Sequence, residues 1–146
     1  MKLLVPVRLT NPQNGRSIDT IFRIDTGADV SAVCTLIASE LQAPPIGTAY
    51  IRDVEGEGIE APVYTLYVTL GSCPIGKTNL VGLNLKGTGY GGLIGTDILG
   101  TGVLVGGKEG GWVFISSEST NPYSYAVAGG IGLLLGAGVT LLLTRK

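Results

Sequence analysis

The sequence predicts an all-β domain over residues 1–115, then a linker over 116–125, a transmembrane helix over 126–144 and a basic tail, 145–146. Two observations predict this organisation. Short β-branched runs alternate with turn segments rich in glycine, proline and asparagine, as in strands joined by tight turns. The stretch 126–144 carries no charge, and a helix of that length spans roughly 28 Å, close to the thickness of a bilayer core.

The strand-like runs follow one another along the chain with few interruptions. We predict strands over 2–9, 17–24 and 79–85, a long hairpin over 49–70 with its tip near 55–58, and a final hairpin over 103–115. Residues 91–99 are expected to combine a buried strand with a tight turn. The one good helix candidate is short. It covers 35–42, with Thr35 as its expected N-cap.

The composition excludes several kinds of chemistry. The chain has no histidine, so Ser-His-Asp and Cys-His catalysis are excluded, together with zinc sites that use histidine. Cys34 and Cys73 are too few for a four-cysteine metal site or a disulfide framework. We therefore expect no metal and no cofactor. The net charge of −1 gives no reason to expect a nucleic-acid partner, and the carboxylates are the leading candidates for acid–base chemistry.

Two glycine motifs resemble phosphate-binding loops. Residues 71–78 match the pattern GxxxxGK[ST], and Gly87, Gly89 and Gly92 match GxGxxG. Both motifs bind phosphate only where a helix begins at the end of the loop. Strand-like residues follow in each case, so we expect a hairpin turn at 71–78. A nucleotide-binding function is kept as the weaker alternative.

The strongest chemical signal is the segment Asp25-Thr26-Gly27-Ala28, which follows an apolar strand. An aspartate at the end of such a strand can lie beside a buried pocket. The glycine permits a tight backbone path under the carboxylate, and the threonine hydroxyl can form a hydrogen bond that holds the loop. These letters alone also fit an ordinary Asx turn.

The wider context resembles a known family. Residues 22–33 resemble the active-site segment of retropepsin-like aspartic proteases, and Leu93-Ile94-Gly95, within 92–99, resembles the second signature of that family. The glycine-tipped hairpin between them lies where the family has its flap. The resemblance covers roughly residues 3–115 in the correct order. It implies a single-lobe acid-protease β-barrel with a flap hairpin and one short helix.

The resemblance also implies an activity, an aspartic endopeptidase acting on protein or peptide substrates. Family enzymes need two such loops facing each other, and their two carboxylates share one proton. This chain has one loop, so the active unit is expected to be a homodimer with Asp25 from each subunit. Asp97, in the second signature, is not expected to be catalytic. The alternative is a catalytically silent module of the same fold that binds peptides or assembles partners.

Further residues are assigned around Asp25 by the resemblance and by strand periodicity. Arg23 replaces the aliphatic residue usual in the family and, by a period of two, faces the same side as Asp25. The loop is expected to be supported by Thr26, Gly27 and Ala28. Substrate contacts are expected from Arg23, Asp29 and the flap-tip residues Val54, Glu55 and Gly56.

The uncharged C-terminal stretch predicts a single-pass membrane anchor. Its small residues Ala128, Gly132, Gly136 and Thr140 recur every four positions and would form one helix face suited to close pairing with a second copy. A buried core helix is the less favoured alternative. The N-terminus lacks the apolar run of a secretory signal, so we expect the domain on the cytosolic side. The basic residues Arg145 and Lys146 favour the opposite orientation, with the C-terminus in the cytosol.

Overall fold

The structure is a computed structural model that describes residues 3–52, 56–71, 73–107, 111–116 and 139–142. It contains ten strands and two short helices within these ranges. The strands are β1 (Leu4–Thr10), β2 (Ser17–Ile24), β3 (Ala32–Cys34), β4 (Gly47–Arg52), β5 (Gly58–Leu70), β6 (Cys73–Leu83), β7 (Gly92–Ile94), β8 (Gly102–Gly107), β9 (Gly111–Ser116) and β10 (Val139–Leu142). The helices are α1 (Thr35–Glu40) and α2 (Thr96–Leu99).

Six strands close into a barrel, which confirms the predicted all-β barrel class. Their order is β1-β2-β7-β3-β6-β5, and β1 also pairs with β5, so the sheet returns to its starting strand. Most neighbours are antiparallel. The exceptions are β2 with β7 and β3 with β6, which are parallel. The parallel pair β2–β7 matters most here, because it brings the C-terminal ends of two distant strands to one edge.

The core fills the barrel from alternating positions on its strands. In β1 the residues Val5, Val7 and Leu9 are buried, and the residues between them face outward. Phe22 and Ile94 come from the parallel pair and are fully buried. This period of two is the pattern of a sheet with one buried face. It explains why the apolar runs of the sequence locate the strands.

The expected hairpin is present and projects beyond the barrel. β4 pairs with the first half of β5, from Gly47 opposite Val63 to Arg52 opposite Gly58. The second half of β5 belongs to the barrel, where it pairs with β6 and β1. Tyr50 on β4 and Ile59 on the first half of β5 are 67% and 58% exposed. The hairpin is therefore an arm with little contact to the core.

Two elements differ in detail from the expectations. Helix α1 ends at Glu40 rather than 42, and its N-cap is Cys34 rather than Thr35. The reason is that β3 runs up to Cys34, whose N–H donates to the Gly91 carbonyl, so the helix begins directly at the end of the strand. β6 begins at Cys73 rather than 79, since the whole segment pairs with β5.

Only part of the predicted membrane helix lies within the described residues. The four residues Val139–Leu142 form β10, antiparallel to β9, with Thr140 opposite Phe114. For these four the structure differs from the expected helix, and valine, threonine and leucine are residues that a strand accommodates well. Ala128, Gly132 and Gly136 lie outside the described residues. Within the described part of the chain, no helix has the length and apolar character needed to cross a membrane.

Candidate active site

Asp25 lies at the edge where the parallel strands β2 and β7 end together. β2 ends at Ile24, and the Asp25 N–H donates to the Ile94 carbonyl at 2.9 Å. The register sets Ile24 beside Ile94, so the turn after each strand begins at the same level. Two segments that are about 70 residues apart in sequence thus form one loop pair, as parallel strands require.

The Asp25 carboxylate is held by its own loop. Gly27 N–H donates to Asp25 Oδ1 at 3.0 Å, and Ala28 N–H donates to the Asp25 carbonyl at 3.2 Å. Asp25 is half-buried, while Thr26 and Gly27 are exposed. One oxygen has this single hydrogen bond, and the other has none with the described residues. The carboxylate therefore keeps lone pairs available at an open face.

The structure describes the local geometry of the three residues expected to support the loop, Thr26, Gly27 and Ala28. Gly27 does not have a left-handed backbone. Its small size matters instead, because a Cβ there would lie 3.3 Å from Asp25 Oδ1. The Thr26 hydroxyl makes no hydrogen bond within the described residues, so loop support by Thr26 stays a prediction. Ala28 supports the loop through its backbone, since its carbonyl accepts from Thr96 N–H at 2.8 Å.

Gly95 allows the two loops to touch. A Cβ at this position would lie 2.7 Å from the Ala28 carbonyl oxygen and 2.8 Å from the Val30 carbonyl oxygen. Both neighbours are backbone atoms that cannot rotate away. The second signature therefore needs glycine here, because helix α2 starts immediately afterwards and rests against the loop of Asp25.

A second aspartate fastens this contact. Asp97 Oδ2 accepts from Ser31 N–H at 2.9 Å, and Asp97 Oδ1 accepts from the Ser31 hydroxyl at 2.6 Å and from Ile98 N–H at 2.8 Å. Ser31 is fully buried, and its Oγ also accepts from Gly95 N–H at 2.9 Å. The sequence predicted no role for Ser31. The one available signal was a polar residue inside the apolar run that follows the loop.

The remaining candidates take different places. Arg23 is half-buried on the outer face of β2, opposite Leu4 on β1 and beside Leu93 on β7. Asp29 is exposed at the end of the loop. Of the three flap-tip candidates, Gly56 is described and has a φ of +84°, which suits a tight turn. Val54 and Glu55 lie outside the described residues.

Cavities lie elsewhere on the molecule. One of about 450 Å³ is bordered by Asp97, Ile98, Lys77 and other residues of β6 and α2, and one of about 200 Å³ lies along β1 and β2. Neither is lined by Asp25. Among the described residues, no group of three or more cysteine or carboxylate side chains is placed to hold a metal ion. In one chain, the half-buried Asp25 is followed by the exposed residues Thr26 and Gly27, which open this edge of the barrel to solvent.

The two glycine motifs do not form phosphate loops. Gly71 turns the chain between β5 and β6, and residues 73–78 are already part of β6, which continues to Leu83. Strand β7, not a helix, begins at Gly92. Neither motif therefore places a helix N-terminus over its glycines, and the requirement for the nucleotide alternative is not met.

Comparisons with known proteins give a likeness among solved structures. No protein-family model matches the chain, and no curated protein matches it. Among solved structures, the chain is similar to the crystal structure of a retropepsin-like aspartic protease from Rickettsia conorii, with a TM-score of 0.46 and 18% sequence identity. The match covers 74% of this chain and 89% of that chain. At this identity the likeness concerns the fold alone.

Proposed function

We propose that this chain is an aspartic endopeptidase that works as a homodimer. The observation that carries the proposal is the placement of Asp25. Its carboxylate stands on an open face where β2 and β7 end together, with its loop held by Gly27, Ala28 and Gly95. A carboxylate oriented in this way and left with unused lone pairs is suited to acid–base work on a bound water.

The stoichiometry of the reaction requires a second carboxylate close to the first. The chain has one Asp-Thr-Gly loop, and the carboxylate of Asp97, which is hydrogen-bonded to that loop, is engaged by Ser31 and Ile98. A second copy, related by a two-fold axis beside this loop, would supply the second carboxylate. The exposed Thr26 lies next to Asp25 and is available for a contact across that axis. A symmetric dimer is also the commonest oligomer of soluble proteins.

The dyad would hydrolyse a peptide bond in two stages. One Asp25 is ionised and takes a proton from a water, whose oxygen bonds to the peptide carbonyl carbon. The protonated Asp25 of the other subunit donates its proton to the carbonyl oxygen. In the second stage the carboxyl that took the water proton donates it to the leaving nitrogen as the C–N bond breaks. The other, now ionised, carboxylate takes the proton of one hydroxyl as the C=O bond re-forms, which returns the dyad to its starting state. Sharing one proton between two close carboxylates makes this division of roles possible.

Cleavage of an unbiased peptide pool tests the proposal. The full chain, purified in detergent, is incubated with tryptic peptides from a bacterial proteome at several pH values, and new termini are read by mass spectrometry. The matched control is Asp25→Asn. We expect cleavage by the parent chain, a bell-shaped pH dependence with an acidic optimum, and none by the variant. Equal cleavage by both would contradict the proposal. Peptide binding without cleavage would favour the silent module.

We also propose that residues 126–144 anchor the chain in a membrane and that the domain 1–115 lies on the cytosolic side. The support is the sequence of this stretch, with no charge over 19 residues. The matched variant is Leu134→Arg, which places a charge at the centre of the stretch and raises the free energy of insertion by roughly 3 kcal/mol. We expect the parent to resist alkaline extraction from membranes and the variant to be released. Complete release of the parent would show that 126–144 is no anchor.

A further inference from the structure

The feature that carries a further inference is the side chain of Arg23. The two neighbours of Arg23 along β2, Phe22 and Ile24, are buried in the core at 0% and 8% exposure. Since side chains alternate across a strand, Arg23 points to the outer face. Asp25 is two residues further on, and its N–H still pairs with β7. Arg23 therefore stands on the same face as the candidate catalytic carboxylate.

The surroundings of Arg23 are apolar. Leu4 lies directly opposite on β1, Leu93 lies beside it on β7, and Ile21 precedes it on the same face of β2. Leu4 and Ile21 are 37% and 45% exposed, so this group forms an accessible apolar surface. We call Leu4, Ile21, Arg23 and Leu93 the Arg23 patch. Its one charged group is the guanidinium at its centre.

The guanidinium has no partner within the described chain. Arg8 pairs with Asp19 at 2.7 Å, Arg16 donates to the Glu40 carbonyl, and Lys77 lies over the ring of Tyr67. Arg23 makes no hydrogen bond or ion pair with any described residue. A half-buried charge among apolar groups is costly unless a counter-charge arrives. Five donors in a planar fork match a carboxylate well.

From this placement we infer that Arg23 selects substrates with an acidic side chain next to the scissile bond. The inference rests on the proposed function, because it takes the Asp25 face as the place where a peptide is bound. The carboxylate of a glutamate or aspartate in the substrate would form an ion pair with the guanidinium of Arg23. The methylene groups of that substrate residue, or the substrate residues next to it, would cover the apolar part of the Arg23 patch. The specificity would then be an acidic residue within an otherwise apolar site.

The test compares matched peptides. A peptide found to be cleaved is synthesised with Glu, Gln or Lys at each position flanking the scissile bond, and kcat/KM is measured for the full chain in detergent. We expect the parent to prefer Glu over Gln about tenfold at one position, which corresponds to 1.4 kcal/mol. Arg23→Leu should reduce this ratio to about one, and Arg23→Glu should favour Lys. Arg16→Leu removes a charge directly before the start of β2 and should keep the Glu/Gln ratio of the parent.

Several results would overturn the inference while leaving the proposed function intact. One is an unchanged Glu/Gln ratio in folded Arg23→Leu or Arg23→Glu. Another is a weaker dimer with the same ratio, which would mean that Arg23 pairs with the partner subunit. Arg23→Lys keeps the charge and should keep part of the preference, so a folding defect in one variant does not decide the outcome.

A binding experiment separates the inference from the activity. The Asp25→Asn chain is titrated with fluorescent Glu and Gln peptides, with and without Arg23→Leu. Preference for Glu peptides that disappears with Arg23→Leu would support the inference even if the parent cleaves nothing. Equal binding of both peptides would overturn it. Cleavage by the parent, read separately, decides the proposed function.

Discussion

Asp25 and Asp97 both lie just beyond the ends of the parallel strands β2 and β7, Asp25 in a turn and Asp97 in the first turn of α2, yet their carboxylates are used in opposite ways. Asp25 is half-buried but accepts one hydrogen bond, from Gly27 N–H. Asp97 is more exposed but accepts three, two from Ser31 and one from Ile98. Burial therefore does not separate the candidate catalytic carboxylate, Asp25, from Asp97, which fastens the two loops. The number of accepted hydrogen bonds does separate them.

The comparison also shows that the two loops have different structural roles. The loop of Asp97 contributes hydrogen bonds that fix the fully buried Ser31, five residues beyond Thr26. Gly95 then lets the two backbones approach. The loop of Asp25 is thus held from behind by the neighbouring turn, and its own carboxylate is left with lone pairs for a substrate. Preorganisation of this kind is what an acid–base site requires.

The largest expected effect comes from comparing Asp25→Asn with Asp97→Asn, since each variant replaces a carboxylate with an amide. Asp25→Asn removes the ionisable group with little change in size, so activity should fall by about 10³-fold while the melting temperature stays close to that of the parent. Asp97→Asn keeps one acceptor oxygen for Ser31 and should retain most of the activity. Steady-state cleavage and thermal unfolding of both variants check this. The reverse order of activity losses would mean that Asp97 is the catalytic residue.

A smaller effect is expected from deleting the Asp97 carboxylate. Asp97→Ala leaves the N–H and hydroxyl of buried Ser31 without their acceptor, and we expect a loss of about 2–3 kcal/mol in the free energy of unfolding. Chemical denaturation of the full chain in a mild detergent measures it. Asp29→Ala, at an exposed position of the same loop, is the control and should unfold like the parent. Equal stability of the two variants would show that the hydrogen bonds to Asp97 contribute little.

Ser31→Ala tests the other end of the same contact. It removes the acceptor of Gly95 N–H and one donor to Asp97, but it keeps the Ser31 N–H bond to Asp97. The expected loss is about 1–2 kcal/mol, less than for Asp97→Ala. Ser31→Thr keeps the hydroxyl and should recover part of the stability if the extra methyl is accommodated. A larger loss for Ser31→Ala than for Asp97→Ala would assign the main support to the Gly95 bond.

The contacts between Ser31 and Asp97 show which features the sequence does not predict. The barrel class, the flap hairpin and the position of Asp25 after β2 follow from local patterns, because strand alternation and a short motif are visible in the letters. The Ser31–Asp97 contact joins residues 66 positions apart, and no local pattern links a serine to an aspartate so far away. The early start of β6 was missed for a similar reason, since pairing with β5 rather than the propensity of Gly76 or Pro74 decides it.

The smallest expected effect concerns a third carboxylate, Asp19, which forms an ion pair with Arg8. Arg8 lies opposite Asp19 in the β1–β2 register and pairs with it at 2.7 Å on the surface. The hydrogen bond from Arg8 lowers the pKa of Asp19 below 3.8, with a further contribution from the positive charge, while partial desolvation opposes both. The stabilisation is therefore present above pH 3.8 and is lost as pH falls through the lowered pKa.

Arg8→Gln removes this pair and gives the last prediction its measurement. The melting temperature of the variant should lie slightly below that of the parent at pH 6, and the difference should shrink as the pH falls below 3.8 through the lowered pKa of Asp19. Because the pair is exposed, added salt at pH 6 should also reduce the difference. A difference that persists at low pH would show that Arg8 acts through packing along β1 rather than through its charge.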